Sequence, residues 1–284
     1  MIICKTRNDI NTILGKMRTK GKTTGFVPTM GALHQGHISL INTAKKQCAI
    51  VVSSIFVNPT QFNDPKDFEK YPVTLEKDIE MLEAAGCDVL FLPAVNEMYP
   101  DGLGQKEFYD LGFLETILEG KFRPGHFQGV CQVVERLFRI VNADYSFFGQ
   151  KDYQQCMVIK KLVELKQLET TIVICPTQRE TNGLAMSSRN MRLSEQERSQ
   201  ATVIYQTMTW IKDKIKNGEE DLSLIKEDSR QTLISKGFKP DYVEIANADT
   251  LEALDKPMTG IPIVILIAAF LGDVRLIDNM VAGS

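Results

Sequence analysis

The sequence predicts an α/β protein in which a parallel-sheet domain is followed by a smaller α+β domain. Apolar, β-branched runs of strand length alternate with segments of helical periodicity over the first 175 residues, as in consecutive βαβ units. The run AIVVSSIFV at 49–57 is apolar without alternation, as expected for a strand covered on both faces. After Pro176 the pattern changes to a polar loop and long amphipathic helices. We therefore assign residues 1–176 to a Rossmann-like sheet domain and residues 177–284 to the second domain.

The predicted elements of the first domain follow one another in regular order. Apolar runs predict strands at 25–29, 49–57, 88–93, 144–149 and 170–176. Helical periodicity predicts helices at 36–47, 74–85, 127–141 and 153–165. Because ligands of parallel sheets bind beyond the carboxyl ends of the strands, we expect the functional residues in the loops that follow them.

The second domain begins with the polar loop TQRETNGLAMSSRNMR. Ser194 and Glu197 then form an S-x-x-E capping box, which predicts the start of one long helix. A second helix and three strands, around DYVEIAN, IPIVILIAAFL and VRLIDN, complete the predicted domain.

Composition and charge indicate which classes of binding partner and which cellular compartment to expect. The net charge of −3 and the pI of about 5.8 argue against nucleic acid or an anionic membrane as the main partner. The most apolar segment, 261–271, is too short to span a bilayer. The N-terminus lacks the apolar run of a secretory signal, and the six cysteines form no CxxC pattern. We expect a cytoplasmic protein with buried, reduced thiols.

Two common nucleotide-binding motifs are missing. No G-x-G-x-x-G follows the first predicted strand. The GKT at 21–23 resembles the end of a P-loop, but Lys16 stands where that motif has glycine, and the GKT precedes a strand instead of following one. A phosphate site must therefore be built in another way.

Two of the three histidines, His34 and His37, lie in the stretch PTMGALHQGH at 28–37. They follow the first predicted strand and open a helix, where backbone N–H groups attract anions and glycines allow close approach of phosphate oxygens. Two imidazoles there could donate hydrogen bonds to a phosphate that gains negative charge. The alternatives are zinc binding, which normally needs three or four ligands, and helix capping, which we expect to explain one histidine but not both.

The H-x-G-H pattern resembles the HIGH motif of the nucleotidyltransferase superfamily, in which the motif binds ATP and stabilises transfer at the α-phosphate. Four further stretches follow in order: FVNPTQF, RPGHF, FGQKDYQQ and MSSRN. Together the five motifs closely resemble those of the pantothenate synthetase family, the pantoate–β-alanine ligases, across both domains. The resemblance implies condensation of (R)-pantoate with β-alanine through a pantoyl adenylate, with release of AMP and pyrophosphate. It also implies ATP as co-substrate, Mg²⁺ and a homodimer.

The resemblance and the side-chain chemistry together assign roles to the motif residues. His37, His34 and Lys151 are the candidate catalytic residues, because imidazoles and an ammonium group can stabilise phosphate charge. Gln61 and Gln155 are implied to bind pantoate, with Gln61 also close to β-alanine. The family usually has glutamate where this chain has Gln150. The residues implied to contact ATP are Met30, Gly31, Ala32, Leu33, His34, Gln35, Gly36, His37, Gly149, Gln150, Lys151, Asp152, Met186, Ser187, Ser188 and Arg189.

Three assignments stay open at the level of the sequence. Asn58 is either a ligand of pantoate or a turn residue before Pro59. Asp78 is either a magnesium ligand or a solvated charge on its helix. His126 either caps a helix or takes part in catalysis.

Two alternative functions also stay open. One is another HxGH-type nucleotidyltransferase that acts on a small phosphorylated metabolite, against which the neutral side chains of Asn58, Gln61 and Gln155 argue. The other is a non-catalytic nucleotide-binding protein with a decayed site.

Overall fold

A computed structural model of the chain describes residues 1–18, 21–62, 68–69, 71–104 and 107–283. The chain forms two compact units. The first comprises Met1–Gln150 and Gln154–Pro176, and the second comprises Lys151–Tyr153 and Thr177–Ser284. The short segment Lys151–Tyr153 therefore belongs to the second unit, although its neighbours in sequence on both sides belong to the first.

The first unit is built on a six-stranded parallel sheet with the strand order β1-β4-β3-β2-β5-β6. From β2 the chain proceeds to β3 and β4 on one side, whereas β5 and β6 lie on the other side. The order therefore reverses between β2 and β5, which places the topological switch point, where open α/β sheets bind ligands, beyond the carboxyl ends of these two strands. The strands are β1 (Ile2–Cys4), β2 (Thr24–Thr29), β3 (Ile50–Ile55), β4 (Val89–Phe91), β5 (Tyr145–Gly149) and β6 (Thr171–Cys175).

The helices of the first unit bury apolar faces against this sheet, and β3 is buried along its whole length. The described helices are α1 (Arg7–Arg18), α2 (Gln35–Gln47), α3 (Leu75–Ala84), α4 (Val95–Met98), α5 (Leu118–Phe122), α6 (His126–Val141) and α7 (Tyr153–Lys166). Short 3₁₀ turns lie at Pro59–Gln61 and Gly112–Glu115. A third turn, Gln150–Asp152, begins with the last residue before the segment Lys151–Tyr153 of the second unit.

The sequence interpretation missed β1 and α1. Strand β1 has three residues, pairs with β4 alone, and leaves Ile2 and Ile3 exposed. In α1 only Ile10 and Leu14 are buried. Neither element therefore carries the long apolar pattern by which the other elements were found.

The second unit has its own apolar core, formed between helices and a three-stranded antiparallel sheet of order β7-β8-β9. The predicted capping box forms between Ser194 and Glu197. The single long helix expected after it is wrong, because the chain divides at Thr202 into two helices. The elements are α8 (Glu195–Ala201), α9 (Val203–Lys216), α10 (Leu222–Ser235), β7 (Phe238–Asn247), β8 (Ile263–Leu271) and β9 (Val274–Gly283).

All six cysteines are buried and free, as predicted from their dispersed positions. Burial raises the pKa of the Cys87 thiol to about 11 and that of the Cys131 thiol to about 12. Within the described ranges, no helix combines the length and apolar character needed to cross a bilayer.

Candidate active site

The stretch PTMGALHQGH forms the loop after β2 and the first turn of α2. Gly31 and Ala32 both have positive φ angles, of 80° and 50°, so two consecutive residues adopt the left-handed conformation that non-glycine residues usually avoid. The Thr29 hydroxyl accepts a hydrogen bond from the Gly31 amide at 3.2 Å. Such a loop persists only when its surroundings hold it in place.

Asp78 of α3 holds this loop. One carboxylate oxygen accepts the Ala32 amide at 2.9 Å, and the other accepts the Leu33 amide at 2.8 Å. The Thr74 hydroxyl donates to the same carboxylate at 3.0 Å. A Cβ on Gly31 would lie 3.1 Å from Asp78 Oδ2, so the close approach also favours glycine there.

The alternative of a solvated charge is wrong for Asp78, because this side chain is 1% exposed. Both carboxylate oxygens already accept hydrogen bonds from the protein, so Asp78 does not fit a direct ligand of Mg²⁺. Among the residues that the structure describes, no group of three or more His, Cys, Asp or Glu side chains is placed to hold a metal ion. The amides of Ala32 and Leu33 donate to Asp78 within the protein.

His34 and His37 together cap the N-terminus of α2. The Nδ1 atom of His34 accepts the Gly36 amide at 3.1 Å, and the Nδ1 atom of His37 accepts the His34 amide at 3.3 Å. The two rings lie 4.1 Å apart, centroid to centroid. The expectation that capping explains only one histidine is therefore wrong, since the pair forms a complete capping box.

The capping geometry also sets the tautomer that each imidazole adopts when it is neutral. An Nδ1 atom that accepts a backbone N–H carries no proton, so a neutral ring must carry its proton on Nε2. Both His34 and His37 are thus set as Nε2–H donors. Gln35, between them, begins the helix.

Gln61 lies in the 3₁₀ turn Pro59–Gln61, which follows β3. Its side-chain Nε2 lies 2.8 Å from the sulfur of Met30. Gln61 and the loop after β2 are therefore neighbours within the first unit. Gly149 ends β5 beside β2, and Gln150 begins the next 3₁₀ turn. Gln155 lies in the first turn of α7.

Asn58 is the N-cap of the Pro59–Gln61 turn, and its side chain is fully buried. Its oxygen accepts the Tyr99 hydroxyl at 2.7 Å, and its amide donates to the Gly129 carbonyl at 3.2 Å. Burial raises the pKa of the Tyr99 phenol, which favours the protonated form that donates to Asn58. Of the two interpretations that the sequence allowed, the geometry favours the turn residue.

His126 is the first residue of α6, whose N-cap is Gly125 and has no side-chain capping bond. The Nδ1 atom of His126 lies 2.8 Å from the Gln61 carbonyl oxygen, and its Nε2 atom lies 3.0 Å from the Arg123 guanidinium. The interpretation of His126 as a helix cap is therefore wrong. The RPGHF motif instead contacts the turn that carries Gln61.

The second unit holds the backbone of Lys151. The side-chain amide of Asn279 donates to the Lys151 carbonyl at 2.8 Å, and the Tyr153 hydroxyl donates to the Ala248 carbonyl at 2.6 Å. Asn279 follows Asp278 on β9. The Nζ atom of Lys151 lies 3.9 Å from a carboxylate oxygen of Asp152.

Asp278 forms a bidentate ion pair with Arg179, at 2.6 and 3.0 Å. Burial raises the pKa of the Asp278 carboxyl, while hydrogen bonding to Arg179 opposes that rise. Arg179 also donates to the Asn279 carbonyl at 3.2 Å. A buried ion pair therefore fixes the strand position from which Asn279 supports Lys151.

The MSSRN motif forms a short 3₁₀ helix, Ser188–Arg192. Ser187 is its N-cap and accepts the Arg189 amide at 3.2 Å. Met186 precedes the turn, and its amide donates to the Gln178 carbonyl. The buried Asn190 side chain donates to the Ala185 carbonyl at 3.0 Å, so the motif is an ordered turn.

Three supporting residues were not singled out from the sequence, although two carry a signal in it. Gly129 interrupts the helical pattern of FQGVCQVV, and a glycine inside a helix often marks a close approach. Asn279, with Asp278, puts polar side chains into the apolar strand VRLIDNM, where buried polar groups require partners. Tyr99 carries no such signal, because an isolated tyrosine after a helix is common.

Comparison with known proteins identifies the family of the chain as a whole. The family model described as pantoate-beta-alanine ligase matches residues 2–281. A curated relative named pantothenate synthetase, from Pseudomonas fluorescens (strain Pf0-1), is 48% identical over 97% of this chain and 96% of the relative.

Two solved structures extend the similarity to the fold. The crystal structure of pantothenate synthetase from Thermus thermophilus has a TM-score of 0.92 and 37% identity, with complete coverage of both chains. That of pantoate-beta-alanine ligase from Francisella tularensis, complexed with beta-gamma ATP and beta-alanine, has a TM-score of 0.83 and 40% identity. This match covers 99% of this chain and 98% of the Francisella tularensis chain. On the strength of its motifs, its sheet topology and these matches along its whole length, the chain belongs to the pantoate-beta-alanine ligase family.

Proposed function

We propose that the chain condenses pantoate with β-alanine in two steps. The pantoate carboxylate first attacks the α-phosphorus of ATP, which forms pantoyl adenylate and releases pyrophosphate. The amine of β-alanine then attacks the activated carbonyl and displaces AMP. The observation that carries the proposal is the family match over residues 2–281, together with an H-x-G-H loop at the switch point of the sheet.

The first step needs stabilisation of the negative charge that develops on the phosphate oxygens. His34 and His37 suit this role because each neutral ring carries its proton on Nε2 when Nδ1 caps α2. Donors that are already in place need no reorganisation during the reaction, and loss of one such donor typically raises a barrier by about 3 kcal/mol. Lys151 supplies a mobile positive charge for the same oxygens.

ATP binding is assigned to the three loops that carry these residues. We assign it to Met30–His37, to Gly149–Asp152 and to Met186–Arg189. In this proposal Ser187, Ser188 and Arg189 supply hydroxyl and guanidinium donors to phosphate, and the second unit acts as a lid that closes over ATP. The Francisella tularensis relative, complexed with beta-gamma ATP and beta-alanine, supports both ligands for this family.

Pantoate is assigned to Gln61 and Gln155, whose neutral amides suit its hydroxyl and carboxylate groups. Asn58 acts through the turn that presents Gln61, because its amide atoms are engaged within the protein. Magnesium is expected to accompany ATP and to neutralise phosphate charge. No step is assigned to Asp78 as its ligand, since that carboxylate holds the loop after β2.

We also propose a cytoplasmic homodimer, which sedimentation of the purified protein would test by giving twice the 31.9 kDa mass of the chain. The alternative of another HxGH-type nucleotidyltransferase, acting on a phosphorylated metabolite, is not favoured by a family match that spans both units.

The test is an assay with protein, ATP, Mg²⁺, pantoate and β-alanine. AMP and pyrophosphate should appear in equal amounts, and only when pantoate is present. Release of ADP, or release of AMP that is indifferent to pantoate, would contradict the proposal.

A further inference from the structure

We propose that His126 is a positioning residue that sets the place of Gln61 by holding its backbone carbonyl. The proposal rests on the proposed function, in which Gln61 binds pantoate and lies close to β-alanine. It assigns to the third histidine of the chain a role in substrate binding that needs no contact between the imidazole and the substrate.

Both ring nitrogens of His126 have defined roles in this contact. The Gln61 carbonyl, 2.8 Å from Nδ1, can only accept, so Nδ1 must carry a proton and donate. The Arg123 guanidinium, 3.0 Å from Nε2, can only donate, so Nε2 must accept. One neutral tautomer satisfies both neighbours at once. His126 is 6% exposed, so water replaces these bonds poorly.

Arg123, which contacts the His126 ring, also contacts an acidic residue. Arg123 lies 3.7 Å from the carboxylate of Glu119, one helical turn earlier in sequence. The side chains of Glu119 and Arg123 are 10% and 22% exposed. A connected series of contacts therefore runs from Glu119 through Arg123 and His126 to the backbone of Gln61.

The turn Pro59–Gln61 packs closely against α6. An added Cβ on Gly129 would lie 2.2 Å from the Thr60 carbonyl oxygen and 2.9 Å from the Cα atom of Gln61. Gly129 lies three residues after His126 and therefore on the same face of the helix. Asn58 donates to the Gly129 carbonyl at 3.2 Å. The turn is thus fixed to α6 by a side-chain bond at either end and by direct backbone packing in the middle.

A displaced turn would change the direction of the Gln61 side chain before it changed the fold. The Gln61 amide reaches Met30 in the loop after β2, so its side-chain atoms lie beside the proposed ATP loop. Loss of one hydrogen bond at the Gln61 carbonyl is expected to lower kcat/KM for pantoate about tenfold, because a net contribution near 1.4 kcal/mol corresponds to a factor of ten.

Two amide variants of His126 each retain the contact of one ring nitrogen and remove that of the other. In His126→Asn the side-chain amide nitrogen can occupy the place of Nδ1 and keep the bond to Gln61. In His126→Gln the side-chain oxygen can occupy the place of Nε2 and accept from Arg123, while the bond to the Gln61 carbonyl is lost. We expect His126→Gln to raise KM for pantoate about tenfold with KM for ATP changed less than twofold, and we expect His126→Asn to stay within about threefold of wild type.

Gln132→Ala provides the matched control. Gln132 is a buried polar residue of the same helix, and its hydrogen bond goes to the Gly104 carbonyl. It should lower the melting temperature without a selective effect on pantoate.

The outcomes distinguish the inference from the proposed function. A wild-type enzyme without pantoate-dependent AMP release refutes the function. An active wild type with an unchanged KM for pantoate in His126→Gln refutes the inference. An equal loss of kcat in both His126 variants, with KM unchanged, also refutes it, because His126 would then act on the reacting atoms.

Discussion

Replacing Asp78 with asparagine tests whether the loop after β2 is held in its active shape by one carboxylate. The wild-type side chain accepts two backbone amides, from Ala32 and Leu33, at 2.9 and 2.8 Å. Asparagine has the same shape but offers one acceptor and one N–H₂ donor. One loop amide would therefore face another donor in a site where the side chain is 1% exposed.

The magnitude follows from the bond that is lost. A hydrogen bond to a charged group contributes about 1.5–3 kcal/mol, and a buried group left without a partner costs a similar amount. We expect Asp78→Asn to lower the free energy of unfolding by about 2 kcal/mol. The left-handed conformation of Ala32 is unfavourable by itself, so the loop should leave its present shape. If the present loop conformation becomes less stable by about 2 kcal/mol, its population falls about thirtyfold. The adenylation rate should fall by the same factor.

The assay is a single-turnover measurement of pyrophosphate release from ATP and pantoate, without β-alanine, so that only the first step is observed. Glu80→Gln is the control for charge, since Glu80 is an exposed residue of the same helix α3. Leu82→Ala is the control for stability, since Leu82 is fully buried in α3 and its truncation costs about 2–5 kcal/mol.

The reasoning fails if Asp78→Asn adenylates pantoate as fast as Glu80→Gln does. It also fails if Leu82→Ala slows adenylation as much at a temperature where both variants are folded, because the effect would then come from stability alone.

Three further predictions concern other residues. His37→Gln should keep the cap of α2, because glutamine at N3 can accept the same amide, yet slow adenylation about 10²–10³-fold through loss of the Nε2–H donor; a near-normal rate would remove His37 from its role. Asn279→Ala should raise KM for ATP and slow adenylation by about tenfold, because the Lys151 carbonyl loses its donor; unchanged kinetics would show that this bond does not position Lys151. Burial raises the pKa values of the Cys87 and Cys131 thiols from 9.0 to about 11 and about 12, so the unfolded chain releases these protons first, and the free energy of unfolding should fall as the pH rises above 9. Urea titrations at about pH 8 and about pH 10.5 measure this fall, which should be smaller in Cys87→Ala because only Cys131 then contributes. A wild-type free energy of unfolding that does not change between the two pH values would contradict the prediction.

The fold class was accessible from the sequence because the long elements carry strong periodicity. The run at 49–57 contains β3, and the apolar stripe at 127–141 contains nearly all of α6. The short edge strand β1 was not accessible, because three residues with one buried side chain give no pattern. The division of the predicted long helix at Thr202 was missed because its residues all tolerate helical conformation.

Motifs singled out the candidate residues of the site, whereas the long-range contacts that support them could not be predicted from the sequence. Asp78 lies 41 residues after His37 in sequence, and no local spacing shows that its carboxylate reaches Ala32. The same holds for His126 and Gln61, which are 65 residues apart. Contacts of this kind arise only when the parallel sheet brings successive crossover loops to one edge.

The short segment Lys151–Tyr153 has a consequence for recombining this enzyme with its relatives. A chimera joined at residue 176 would take its C-terminal part from one parent. The segment Lys151–Tyr153, which belongs to the same unit as that part, would come from the other parent. Asn279 and Ala248 would then meet a foreign backbone at Lys151 and Tyr153. A functional exchange of the C-terminal part should therefore also require exchange of Lys151–Tyr153, although these residues precede the junction in sequence.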